Sequence, residues 1–219
     1  MPTNKTRVLI ALALFFSLLV VACTRKPSST AEVPPVLSHA YQVSVAPFSQ
    51  PTAPSELICG NLPEPQGLIS QEDLALLDGD LRAVLSKDGK RRYTFLSTPL
   101  KMASISLHHG SQPQALSQWL AYGKKQGADL LLVPMVINWH ERAGSRAGVT
   151  ESAEVHLEFF LLKVSSQTVM NRCIFEEKQA ALAENFLNIG SFIKRRGSWV
   201  SARDLAGEGM QKAKKEFGL

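Results

Sequence analysis

A thiol at the end of a short apolar run is the first group in this chain placed to do chemistry. Lys5 and Arg7 lead into an uncharged segment of 15 residues, Val8 to Ala22, which closes on Val20, Val21, Ala22 and Cys23. Cations, an apolar stretch and small residues in that order describe a secretory leader with a processing site, and the run is shorter than the roughly 20 residues that span a bilayer as a helix. Cys23 occupies the cut position. Cys59 and Cys173 are the other two thiols, 114 residues apart. Beyond a leader they would meet an oxidising compartment, where two thiols can pair. Such a bridge would contribute on the order of 4 to 5 kcal/mol by the chain-entropy estimate. The competing reading makes Cys173 a small buried hydrophobe on a strand, with Cys59 out of its reach.

The five imidazoles are His39, His108, His109, His140 and His156, of which only His108 and His109 are neighbours. Neighbouring side chains diverge in extended structure, so a solvated turn is favoured there over a Zn²⁺ site, and His140 beside Glu141 takes the same discount. The chain has no His-Glu-x-x-His spacing, Cys-x-x-Cys pair or Gly-x-Ser-x-Gly elbow, the spacings that metal hydrolysis, redox exchange and acyl transfer use. A non-enzyme without cofactor or metal is therefore expected. The rival class is a metal-dependent envelope hydrolase using His108, His109 or His140.

Two segments have binding chemistry. His140 to Thr150 contains Arg142, Gly144, Ser145, Arg146 and Gly148, and Lys194 to Trp199 contains Arg195, Arg196 and Trp199. Glycine lets a backbone come close, arginine forms bidentate pairs with carboxylates, and tryptophan is a rigid apolar anchor, which together fit a protein or an anionic glycan. A glycine-bearing hairpin and a helix-to-helix corner with solvated arginines would explain the same residues without a partner. Trp119 and Trp139 are expected to pack in the core.

These residues need a scaffold. Residues 1–22 form the leader, 23–39 a flexible tether rich in Pro, Ser and Thr, and 40–219 one domain large enough for a real core. Of the 24 Lys and Arg, two lie in the leader, so 22 stand against 19 acids, too mild an excess to imply nucleic acid. Within the domain, Tyr41 to Phe48 alternates as a strand closed by proline. Ser70 and Asp73 open a helix carrying Leu74, Leu77, Leu81 and Leu85 through Ser86. Arg92 to Ser97 reads as a strand and Ser111 to Gly127 as a helix. Asp129 to Trp139 is apolar almost throughout, the mark of a strand covered on both faces, with a bulge or unpaired edge expected at Pro134. Ala153 to Leu161 alternates apolar residues against Glu154, His156 and Glu158, which predicts one wet sheet face. Ser165 to Gln167 turns the chain into a strand over Thr168 to Phe175. Helical spacing returns over residues 179–193, and Ser201 with Asp204 opens a last helix that ends among Lys212, Lys214 and Lys215. The expected fold class is α/β: a mixed sheet, parallel in its first half, then an antiparallel three-strand meander, with helices packed on it and C-terminal helices.

Two resemblances follow. Val20 to Cys23 resembles the lipobox of bacterial lipoproteins, in which the cysteine is diacylated, the leader is cut before it and the new amino terminus is acylated in turn. An ordinary leader or uncleaved anchor is the alternative. The resemblance implies attachment through lipid at Cys23, and Thr24, where aspartate often retains lipoproteins in the inner membrane, implies the periplasmic face of the outer membrane. Separately, the strand ending Val45-Ala46-Pro47-Phe48, the sequence Gly127-Ala128-Asp129 before an apolar strand, and the meander resemble a periplasmic superfamily. It includes the TolB amino-terminal domain, curli-secretion-type lipoproteins and lipoprotein activators of penicillin-binding proteins. Gly127 to Gly218 further resembles a group of uncharacterised proteobacterial lipoproteins, through Glu141 to Ser145 with Gly148-Val149, Phe175 to Gln179, and Arg196 to Ala202. These resemblances imply a fold and a location but no reaction. The short 140–150 loop cannot supply the 9 to 11 residues per strand of a membrane barrel, which argues against a pore. The expected role is a non-catalytic interaction domain on a lipid anchor, an accessory or assembly factor for an envelope protein or peptidoglycan. The alternative is an activator of peptidoglycan synthesis.

Overall fold

Ten consecutive buried residues run from Leu130 to Trp139, and the rest of the domain is arranged to cover them. The computed structural model describes residues 37–89, 91–100, 113–144, 149–179 and 200–219. In chain order the strands are β1 (Val43–Val45), β2 (Tyr93–Phe95), β3 (Leu130–His140), β4 (Ala143–Gly144), β5 (Val149–Glu151), β6 (Glu154–Lys163) and β7 (Thr168–Lys178). The helices are α1 (Gln71–Ser86), α2 (Leu116–Lys125) and α3 (Ala202–Phe217), and Pro54–Glu56 forms one 3-10 turn. The main sheet has the order β2-β1-β3-β6-β7, while β4 and β5 form a separate hairpin. β1 lies parallel to β2 and β3, and β3, β6 and β7 are antiparallel neighbours. This is the mixed α/β arrangement expected from the order of elements. The expected helix over 179–193 falls outside the described residues from position 180 onward.

Local chemistry sets the helix ends. Ser70 Oγ accepts from Asp73 N at 3.0 Å and opens α1. Ser201 and Asp204 form a reciprocal capping box at α3: Asp204 N donates to Ser201 Oγ at 3.1 Å, and Ser201 N donates to Asp204 Oδ2 at 3.0 Å. At the far end of α3, Gly218 takes a left-handed φ of 65°, which glycine adopts without a Cβ penalty. Leu74, Leu77, Leu81 and Leu85 are all buried on one side of α1.

Two cores result, one on each sheet face. α1 and α3 close the first with Val155, Leu157, Phe159 and Leu161 of β6. The second holds Leu131, Val133, Met135 and Ile137 of β3 with Phe160 and Leu162, covered by α2 and by Leu57 and Ile58. Trp119 and Trp139 are both buried, as expected of core residues. The expectation of a wet face opposite Phe159 is corrected. That face is roofed, and Glu158 within it is only 4% exposed, because the chain between β1 and α1 folds back over it.

Pro134 shows how the roof is attached. It keeps its register with Phe159 of β6, but it lies beyond the three-residue ladder with β1. Its missing N–H therefore faces a gap instead of a lost bond. Past the gap, Ser49 N donates to Pro134 O at 3.4 Å and Val136 N to Ser49 O at 2.8 Å. The bulge lies further along, between Val136 and Asn138.

Candidate functional site

Under the roof, Arg172 of β7 reaches across to Glu158 of β6. Its Nη2 donates to Oε1 at 2.7 Å and its Nε to Oε2 at 3.2 Å, a bidentate pair on a nearly buried carboxylate. His156 Nε2 stands 3.5 Å from the same Oε1 without completing a hydrogen bond, and the Arg172 guanidinium lies 5.6 Å from the Phe160 ring. Burial pushes the Glu158 carboxyl up, but His156 and Arg172 outweigh it and hold the group below the ordinary carboxylate range. Cys59 stands on the roof beside this pair. Burial raises its thiol pKa, Arg172 pulls it down, Glu158 pushes it up again, and the net shift is upward. A carboxylate filled by arginine is a poor proton acceptor, and a thiol kept protonated is a poor nucleophile. The cluster acts as a clamp between β6 and β7 beneath the roof.

The roof is fastened a second time at Gly67. Its N–H donates to Asn138 Oδ1 at 2.7 Å, its carbonyl accepts from Trp139 N at 3.2 Å and from Gln50 Nε2 at 2.8 Å. Asn138 in turn donates to Glu154 Oε1 at 2.8 Å. Gln66 Nε2 donates to the carbonyls of Pro51 and Ile137 at 2.9 and 2.8 Å. The side-chain amides of Gln50, Gln66 and Asn138 and the N–H of Gly67 are all hydrogen-bonded, so a segment without regular structure has definite geometry.

Of the residues singled out in the sequence, Cys23, Arg146, Arg195, Arg196, Trp199, His108 and His109 lie outside the described residues. Arg142 lies between β3 and the β4–β5 hairpin, and its backbone N–H donates to the neighbouring Glu141 carboxylate at 3.3 Å. That carboxylate also accepts from Ala202 N at 3.3 Å, and Val200 N donates to Gln179 Oε1 at 2.9 Å. The base of the 140–151 loop and the chain entering α3 therefore meet at one end of the domain. His39 is exposed near the point where the chain enters the sheet, and His140 packs over Gly67. Among the described residues, no three His, Cys, Asp or Glu side chains converge as metal ligands.

The proposed bridge between Cys59 and Cys173 is not formed. Both thiols are free; Cys173 packs in the α1/α3 core and Cys59 against the α2 core, with the sheet between them. Burial, with the Glu216 carboxylate nearby, pushes the Cys173 thiol up to about 12. In native protein Cys59 is expected to alkylate slowly and Cys173 only on unfolding. Mass analysis with and without denaturant checks this, and equal modification of both thiols in native protein would contradict the packing.

Sequence reasoning missed Arg172 and the burial of Glu158. The available signal was the hairpin: pairing β6 with β7 about Ser165–Gln167 brings residues 158 and 172 into diagonal contact on one face.

No protein-family model matches the chain, and no curated protein matches it. Solved structures with similar outlines include PelC from Paraburkholderia phytofirmans, crystallised as a dodecamer, at 12% identity, covering 84% of this chain and 92% of that one with a TM-score of 0.48. Lipoprotein GNA1162 from Neisseria meningitidis matches at 9% identity, 71% and 97% coverage and a TM-score of 0.36. The LpoB C-terminal domain from Salmonella enterica matches at 14% identity, 67% and 88% coverage and a TM-score of 0.36. Overlaps this shallow assign neither a family nor a role.

Proposed function

We propose that this chain is a lipid-anchored bacterial envelope lipoprotein whose α/β domain works by binding, as an accessory or assembly factor on the periplasmic face of the outer membrane. The observation that carries the reading is the leader ending Val20-Val21-Ala22-Cys23, followed by only 13 residues before Leu37, which is already buried in the domain. One acyl chain anchors marginally, whereas three, at about 0.8 kcal/mol per buried methylene, make release negligible. Among the described residues no helix is long and apolar enough to cross a membrane, so the reading gives attachment to the acyl group. The described clusters with shifted pKa values are spent on structure, and the pair Glu158–Arg172 is a clamp. The partner surface, for an envelope protein or peptidoglycan, is assigned to the end of the domain where Arg142 and the chain leading into α3 meet; Arg146, Arg195, Arg196 and Trp199 remain candidates from the sequence alone.

The test is Cys23→Ser in the native envelope. The variant is expected to accumulate unprocessed and to lose the partner crosslinks that the native protein makes. Processing and crosslinks identical to the native protein would overturn the reading. Stimulated glycan polymerisation on adding the domain would specify the accessory role as activation of peptidoglycan synthesis.

A further inference from the structure

The end of the domain that receives the tether is also where the sheet topology gathers cations. β1, β2 and β3 all begin there, β6 ends there with Lys163 opposite Leu130, and all three helices end there. Leu37 N donates to Gly218 O at 3.3 Å just past α3, and Lys214 Nζ donates to Val84 O near the end of α1 at 2.9 Å. Arg91 holds the incoming chain through the carbonyls of Leu37, Ser38 and Tyr41. Beside it is a recess of about 410 Å³ lined by His39, Tyr41, Gln42, Arg91, Arg92 and Thr94.

The charge balance at this end is one-sided. Lys124, Lys125, Lys214 and Lys215 stand in the last turns of α2 and α3, where they offset the carbonyl ends of the helices. Lys87 caps α1 and is exposed, and so is Arg92; Lys163 Nζ lies 5.5 Å from the Tyr41 ring. The acids at this end are already engaged. Asp88 pairs with Lys214 at 2.8 Å, Asp129 accepts from Gln42 N at 3.2 Å, and Glu216 lies 3.8 Å from Lys212.

We propose that this tether-entry end docks on anionic phospholipid headgroups and so orients the domain against the membrane that holds its anchor. The inference rests on the reading of Cys23 as the acylated residue, because that reading brings the tether to this end. Residues 24–36 extend at most about 45 Å, which keeps the cationic end close to the headgroups at high local concentration. An anionic surface attracts each nearby Lys or Arg by about fivefold in partitioning, within a Debye length of about 8 Å at physiological salt. With this end down, the opposite end, which holds Arg142 and the start of α3, faces away from the membrane toward a partner.

The packed unit closes within Pro34–Leu219, so residues 24–219 can be tested without leader or acyl chain. The probes are phosphatidylcholine vesicles with and without phosphatidylglycerol. Sedimentation is expected to show binding that rises with the phosphatidylglycerol fraction and falls with salt. Lys87→Gln, Arg92→Gln and Lys163→Gln together are expected to weaken binding roughly a hundredfold with an unchanged thermal midpoint. Equal binding to neutral vesicles, unchanged binding by the triple variant, or abolition by inorganic phosphate at constant ionic strength would overturn the proposal. The last outcome would mark a free-anion site. If the triple variant fails to fold, the lipid and salt dependence of the native domain decides alone. No acyl chain is present in the experiment, so its failure leaves the acylation of Cys23 untouched.

Discussion

Replacing Arg172 with alanine is expected to cost about 3 to 5 kcal/mol at pH 7 and to weaken the acid sensitivity that Glu158 gives the domain. The magnitude is that of removing one partner from a buried ion pair, which leaves the other charge without compensation. Glu158 is the charge left behind, 4% exposed beneath the roof. In the native domain its carboxyl is held below the ordinary range, so the unfolded chain binds the proton more readily. Its contribution is complete above the unfolded pKa and is lost as the pH falls through the folded value. Without Arg172, only His156 opposes burial, so the folded pKa of Glu158 rises from its native position. Stability of the variant should then fall less on acidification from pH 7 than that of the native domain. Urea unfolding of both proteins at pH 7 and pH 5 checks the magnitude and the pH response. A loss below about 1 kcal/mol, in the range of exposed pairs, or parallel pH responses, would show that the pair is not the clamp described.

The second large effect is expected at Gly67. A Cβ there would stand 2.2 Å from Trp139 O and 2.7 Å from His140 Nε2. The oxygen belongs to the backbone of β3, so a rotamer change cannot relieve the contact. Gly67→Ala should therefore cost about 3 kcal/mol, the upper end of ordinary overpacking. The roof would lift at the residue that joins Asn138, Trp139 and Gln50. A local readout separates this from general destabilisation: Cys59, on the same roof, should become much more reactive toward maleimide in native buffer while Cys173 stays protected. An unchanged Cys59 rate together with full stability would contradict the fastening role of Gly67.

These two residues also mark where sequence reading stopped. The capping box at Ser201 and Asp204, the leucine side of α1 and the doubly covered β3 were legible because each depends on residues close in the chain. Glu158 was read as wet because its neighbours along β6 alternate. Its cover comes from Arg172 and from the roof at Cys59 and Gly60, brought over the sheet by long-range pairing. The irregular segment from Ser49 to Ile69 has no periodicity to read, and its position follows from hydrogen bonds to β3 that only the folded chain displays. For the thiols, the sequence could supply the spacing of Cys59 and Cys173, but only the fold shows that the sheet separates them. On the candidate binding surface, the sequence picked out two loops, and the contact of Glu141 with Ala202 brings the base of one to the chain leading out of the other.

Whether this domain acts from a lipid anchor at Cys23 is decided by the intact mass of the mature chain extracted from its own membranes. The expected result is a polypeptide beginning at Cys23 and heavier than residues 23–219 by a diacylglyceryl group and an amide-linked acyl chain, with both additions absent from Cys23→Ser. A mature chain beginning elsewhere, or beginning at Cys23 with an unmodified thiol, would contradict it.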